Sequence, residues 1–504
     1  MTDNNTVEEL ATQSSITLFG NIIRTLAGFL LVIAATRTLG SELYGIFTLA
    51  LSITYVLLGL TNLKVHKAID YFVPQHLAED SYGEAKGTIV SVLLLAVTGA
   101  VVGALIIALF SSHLAEFFDE PRLATLLLVL CLLLPLRSIS RVFFVSFTAI
   151  KRMDYRVAIE YILLPLSKIG IFMVLIFMGF EIFSLVFGYI LATALGVSVS
   201  IVLIYRRIPW FSQVTAQYPV KRTLISYSAP LALAGIVTTM LGQIDYLLIG
   251  YFLESDSVAV YRVAYELGTG LIIVLTAVTP IFKPMIAEVI GDSQQIVSRY
   301  RLATRWITIL TFPVFATLVL APKVYLELLF TTEFAVGWPV VIILAVGYLI
   351  NAVSGPEGMI LEGLGYTRIT FLNSVLMLVV NVGLGILLIP RFGIVGAAIA
   401  TAASVGLSAS AGVAEVWYFE GLHPYNLSSI KLILCGGFLY LIFLPLVRLS
   451  PSDLFVAIIL PVLTPIIYLI LIRLAGGFVS EDRHVAEILD QKLGLNLFGW
   501  IVSP

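Results

Sequence analysis

Fourteen stretches of this chain are apolar for about twenty residues at a time: approximately 15-36, 43-63, 87-110, 123-146, 157-178, 182-205, 225-250, 257-282, 302-321, 336-360, 366-389, 394-418, 429-448 and 453-474. A hydrocarbon layer about 30 Å thick is crossed by about 20 helical residues, and in lipid only helices or closed barrels satisfy every backbone N–H and C=O. The runs are continuous, not alternating, which predicts helices over a barrel. Only 12% of the residues are charged and the mean hydropathy is +1.03. The chain therefore reads as an all-α integral membrane protein of about 14 transmembrane helices.

Lysine and arginine in the loops set the orientation. Twenty fall on one side; the other holds only Arg37, Arg122, Lys323, Arg391 and Arg448. The basic side is the inner one, so both termini are expected in the cytoplasm of a multi-pass protein of the cell membrane. The opening MTDNNTVEELATQSS lacks the basic start of a cleaved signal and reads as a retained tail. The longest loop, near 64 to 86, is too short for a separate soluble domain.

A net charge of -2 gives no argument for nucleic acid. Cys131 and Cys435 fall inside apolar spans, and His66, His76, His113, His423 and His484 are scattered as loop histidines. No disulfide, metal or cofactor is expected from them.

The chain also repeats itself. "LGSELYGIFTLA" (39 to 50) lines up with "LESDSVAVYRVA" (253 to 264), and "GYILAT" (188 to 193) with "GAAIAT" (396 to 401), at nearly equal offsets. Six spans separate the copies, so both halves run the same way through the membrane. The expected plan is a tail (1-14), a six-helix bundle (15-210), a pseudo-symmetric second bundle (211-420), two extra helices (421-478) and a C-terminal tail (479-504). In that tail Val485, Ile488, Leu489 and Leu493 share one helical face, an interfacial amphipathic helix with Trp500 as anchor. Pro135, Pro165, Pro230, Pro280, Pro284, Pro313 and Pro356 offer kinks.

Four basic residues stand inside spans: Arg24, Arg137, Lys168 and Arg262. An arginine at the centre of a membrane helix costs about 2.5 to 3.5 kcal/mol on insertion scales, so Arg24 needs a partner, water or a function. It lies about nine residues into its span, roughly 13 Å from the inner end at 1.5 Å per residue, too deep for snorkelling. Arg262 has Glu266 one turn on and Asp245 at similar depth in the preceding span, so ion pairing and ligand binding both stay open. Lys168 follows Pro165 in mid-span, with cavity lining and structural pairing equally open. Glu357 and Glu362 flank "GMIL" where Gly355-Pro356 makes a span irregular. Asp245, Glu266 and Glu357 are the candidates for coupling or ion pairing. Asn21, Gln243, Asn351 and Asn381 suit interhelical hydrogen bonds, and the small residues of 393 to 412 suit close helix packing.

"QIDYLLIGYFLESDSVAVYRVA" (243 to 264), "LLIPRFGIVGAAIATAASVG" (387 to 406) and "ATRTLGSELYGIFTLA" (35 to 50) resemble the polysaccharide-transport family of oligosaccharide-lipid flippases, in the superfamily shared with multidrug and toxin extrusion transporters. The resemblance implies two bundles around a central cavity that opens to each side in turn, with cations on the first and eighth helices holding the carrier phosphate. Arg24 and Arg262 stand on those helices, and Lys168 joins them as a candidate cavity cation. The expected function is a flippase, not an enzyme, for a polyprenyl-phosphate- or pyrophosphate-linked glycan, acting among membrane lipids as a monomer or together with glycan-assembly proteins. The coupling ion, Na⁺ or H⁺, is left open. A cation-coupled multidrug exporter is the alternative. A membrane-embedded glycosyltransferase or ligase is disfavoured by the short outer loops.

Overall fold

Gly40 decides how the chain begins. One helical run, α1 (Thr2–Thr61), contains the first two expected spans, and Gly40 interrupts it at φ 74°, ψ -178°, a conformation open to glycine and strained for any side chain. The apolar part, Phe19–Thr61, has 43 residues; at 1.5 Å each that is about 65 Å, two hydrocarbon layers. Among the described residues 13 helices are long and apolar enough to cross a membrane; with α1 counted twice they make fourteen passages. The computed structural model describes residues 2–218, 221–276, 282, 285–286, 288–289, 291–449 and 452–482.

The chain forms two compact units, Met1–Ala259 and Val260–Pro504. In the first, α1 is followed by α2 (Lys67–Ala78), α3 (Tyr82–Phe117), α4 (Arg122–Leu130), α5 (Leu133–Ala149) and α6 (Met153–Arg156). A π-helical segment, Val157–Leu163, leads into α7 (Leu164–Phe177). Then come α8 (Ile182–Arg207), α9 (Pro209–Gln213), α10 (Lys221–Leu241) and α11 (Ile244–Phe252). The 64 to 86 loop is thus largely a helix: Ile69 and Val73 of α2 pack into one core with Ile89, Val142, Phe147 and Ile204. Elsewhere the helices turn large apolar groups outward, such as Leu109 at 74% and Phe177 at 83% exposure. Such a surface is stable only against lipid.

Helix approach is set by glycine where backbones nearly touch. A Cβ on Gly45 of α1 would stand 1.7 Å from the carbonyl oxygen of Ser255. Gly45→Ala is therefore expected to destabilise the first unit by about 1–3 kcal/mol or more through overpacking, read as a lower midpoint of thermal unfolding in detergent.

α12 (Ser255–Thr269) leads into the second unit, which continues with α13 (Ser293–Leu320), α14 (Pro322–Leu329), α15 (Trp338–Ser354) and α16 (Glu357–Gly363). α17 (Thr367–Phe392), α18 (Ile394–Glu420), α19 (Leu427–Arg448) and α20 (Asp453–Leu474) complete it. The span expected over 336-360 stops at Ser354, because Gly355 turns the backbone at φ 77°; Glu357 and Glu362 lie beyond it on the short α16. The small residues of α18 pack closely, as at Gly347, where a Cβ would meet the Ala402 Cα at 2.6 Å. Asn381 donates to the Thr401 hydroxyl at 3.1 Å, an interhelical bond. Pro280, Pro284 and the amphipathic helix expected around Val485, Ile488, Leu489, Leu493 and Trp500 lie outside the described residues.

Candidate functional site

The stretch that carries Arg24 begins with a contact. A Cβ on Gly20 would stand 2.6 Å from Val157 Cγ1 and 2.8 Å from Tyr161 Cδ2, so glycine is what lets α1 lie against the π-helical segment. Four residues on, on the same helix face, the Arg24 guanidinium carbon stands 4.8 Å from the centroid of the Tyr161 ring. Arg24 is exposed, while Tyr161 is buried. The charge thus rests on an aromatic face, an attraction that leaves the guanidinium ionised and able to bind an anion.

Two more cations join it. Arg137 of α5 lies 5.1 Å from the Tyr55 ring centroid and donates through Nη2 to the Tyr55 hydroxyl at 2.5 Å. The Lys168 ammonium of α7 is 4.5 Å from the Tyr189 ring centroid on α8. Arg137 and Arg24 are both within electrostatic reach of Lys168. Among the described residues no carboxylate forms an ion pair with Arg24, Arg137 or Lys168. Three positive charges from three helices of one unit are held by three tyrosines. Such an arrangement can receive an oxyanion: arginine forks match its geometry bidentately, and lysine adds a point charge.

Nearby arginines differ. Glu160, next to Tyr161, accepts from Arg156 Nε at 2.6 Å and from Arg141 Nη1 at 3.5 Å. One carboxylate thus offsets part of the charge of these two arginines.

The other residues singled out in the sequence are elsewhere. Arg262 of α12 bonds Glu266 one turn on. Asp245 is buried in the first turn of α11. Glu357 packs against α18, where a Cβ on Gly412 would stand 2.5 Å from its Cγ. Burial, with Glu415 adding a like charge, pushes its carboxyl up to about 8, so it holds a proton at neutral pH.

Reading the sequence left Arg137 unassigned and passed over Tyr55, Tyr161 and Tyr189. The signal for Arg137 was present, since it is one of only four basic residues inside spans; the tyrosines carry none by position alone. His66 also departs from the loop reading. It is 4% exposed, and burial with Arg141, Lys64 and Lys67 nearby brings it down to about 3, so it stays neutral.

A family model described as polysaccharide biosynthesis protein matches residues 18–339. The chain belongs to that family. An uncharacterized membrane protein of Methanocaldococcus jannaschii is 23% identical to it over 411 residues, 77% of this chain and 80% of the relative. A probable low-salt glycan biosynthesis flippase of Haloferax volcanii is 28% identical over 197 residues, 37% of this chain and 40% of the relative. Among solved structures, the lipid II flippase MurJ in an inward closed conformation matches with a TM-score of 0.72 and 14% identity, covering 96% of this chain and 99% of that one. An inward-facing multidrug resistance MATE family transporter matches with a TM-score of 0.63 and 13% identity, covering 87% of this chain and 100% of that one. These two likenesses show the fold.

Proposed function

We propose that this protein is a flippase that carries a lipid-linked, phosphate-bearing glycan across the cell membrane by alternating access, without catalysing any bond change. The observation that carries this reading is the set of three cations, Arg24, Arg137 and Lys168, resting on tyrosine faces with no carboxylate paired to them among the described residues. An anionic headgroup entering hydrocarbon alone meets a Born penalty far beyond any binding energy, and fixed cationic donors replace its water. A carrier of organic cations would need the opposite sign of charge at this place. The name of the Haloferax volcanii relative and that of MurJ agree with the flippase reading. Two bodies of the chain move in turn to open each side, and both termini face the cytoplasm. Protonated Glu357 is the carboxyl best suited to proton coupling.

The test is reconstitution into liposomes with a fluorescent polyprenyl-diphosphate-linked disaccharide, scored by its exposure to a membrane-impermeant quencher. The expected result is protein-dependent exposure. No exposure, together with export of an organic cation such as ethidium, would replace this reading by the multidrug one.

A further inference from the structure

We infer that Tyr161 is a positioning residue for Arg24, mounted on the π-helical segment Val157–Leu163, and that Tyr55 and Tyr189 serve Arg137 and Lys168 in the same way. The inference rests on the reading of the three cations as the headgroup site and adds how that site keeps its charge available.

A π-helical turn carries an extra residue relative to an α-helix, which re-aims the side chains it carries, and such turns are frequent at functional sites. Here two consecutive residues serve neighbouring arginines. Glu160 is engaged with Arg156 and Arg141, and Tyr161 lies under Arg24 at 4.8 Å, with Arg156 farther off at 5.8 Å. Gly20 fixes the separation, since any side chain there would strike Val157 and Tyr161. Arg24 is thereby seated by the packing of α1 on this turn.

The choice of an aromatic seat has a chemical consequence. A carboxylate would hold the guanidinium equally well but would cancel its charge and compete with any incoming oxyanion. A ring face attracts the cation through its quadrupole and leaves the N–H donors along the edge of the guanidinium for a ligand. The same contact occurs at Arg137 on Tyr55 and at Lys168 on Tyr189. Arg156 also stands 5.8 Å from the Tyr161 ring centroid, but it shares Glu160 with Arg141; the lack of any carboxylate partner among the described residues is what separates the three ligand-facing charges from these structural ones.

The experiment measures flipping of the diphosphate-linked disaccharide by reconstituted full-length protein over a range of substrate densities, separating KM from kcat. Tyr161→Phe keeps the ring and is expected to restore most of the affinity that a leucine at this position loses. Tyr161→Leu is expected to raise KM about tenfold with kcat within about twofold, and Tyr161→Glu to raise KM further by neutralising Arg24. Should Tyr161→Leu fail to fold, Tyr189→Leu must produce the same rise in KM. A wild-type KM in whichever leucine variant folds would overturn the inference. Arg24→Gln separates the two levels: if it lowers affinity while the leucine variants do not, the seating idea alone fails; if Arg24→Gln also binds normally, the headgroup site itself is wrong.

Discussion

Replacing Arg24 and Arg137 together by glutamine is expected to reduce glycolipid flipping by about two to four orders of magnitude while leaving the protein folded. A hydrogen bond from a charged donor contributes about 1.5–3 kcal/mol, and 1.4 kcal/mol is a factor of ten, so each arginine is worth about 10- to 150-fold. The two losses will not add fully, because both groups serve one ligand and Lys168 remains to hold part of the charge. Folding should survive, since neither arginine has a carboxylate partner among the described residues that would be left buried and unpaired. Glutamine keeps much of the length and two N–H donors, so the loss reports on charge. Arg24→Lys supplies the contrast: it retains the charge and loses the planar fork, and should fall between wild type and Arg24→Gln. The assay is initial flipping rate at matched protein density, with thermal unfolding as the control. A double variant that transports at wild-type rate would remove these residues from the mechanism.

The fold was largely legible because membrane insertion writes it into composition. Each passage needs its own apolar run, so the runs could be counted, and even α1, one helical run on paper, was divided correctly where Gly40 breaks it. The site was legible only in part. Sequence gives the depth of a charge along its helix, which is why Arg24 and Lys168 stood out; it does not give the direction each charge faces across the bundle. That direction brings in Arg137 and places the paired Arg262 in a different category. The π-helical turn was invisible because "VAIEYIL" continues an apolar run whether its hydrogen bonds join residues four or five apart. His66 misled because it looks like a loop residue in the one-dimensional text, while segments that meet it only in three dimensions bury it.

Arg305 supports the largest expected effect on stability. It lies within α13 at 2% exposure, and Asp482, 177 residues later, is at 0%. Arg305 Nη2 bonds the Asp482 carboxylate and also donates to the Gly477 carbonyl at 2.9 Å, while Asp482 Oδ2 accepts from the Val479 N–H at 3.0 Å. Lys431 adds a bond to the Gly476 carbonyl at 3.0 Å. The segment after α20 is thus tied to α13 and α19 by polar contacts around one buried pair. Removing either partner leaves a charge without water or counter-ion, which costs about 3–5 kcal/mol. Arg305→Met and Asp482→Leu are each expected to lower the unfolding midpoint accordingly. The pair is also incompletely satisfied: Arg305 Nε and Nη1 and Asp482 Oδ1 are buried without hydrogen-bond partners. A buried pair of that kind gains little over apolar packing, because desolvation of both ions offsets their attraction. The double variant Arg305→Met/Asp482→Leu should therefore recover most of the loss. A double-mutant cycle on unfolding in detergent measures the coupling. Strictly additive losses would mean that the two charges do not depend on each other, and that apolar packing alone holds the segment against α13.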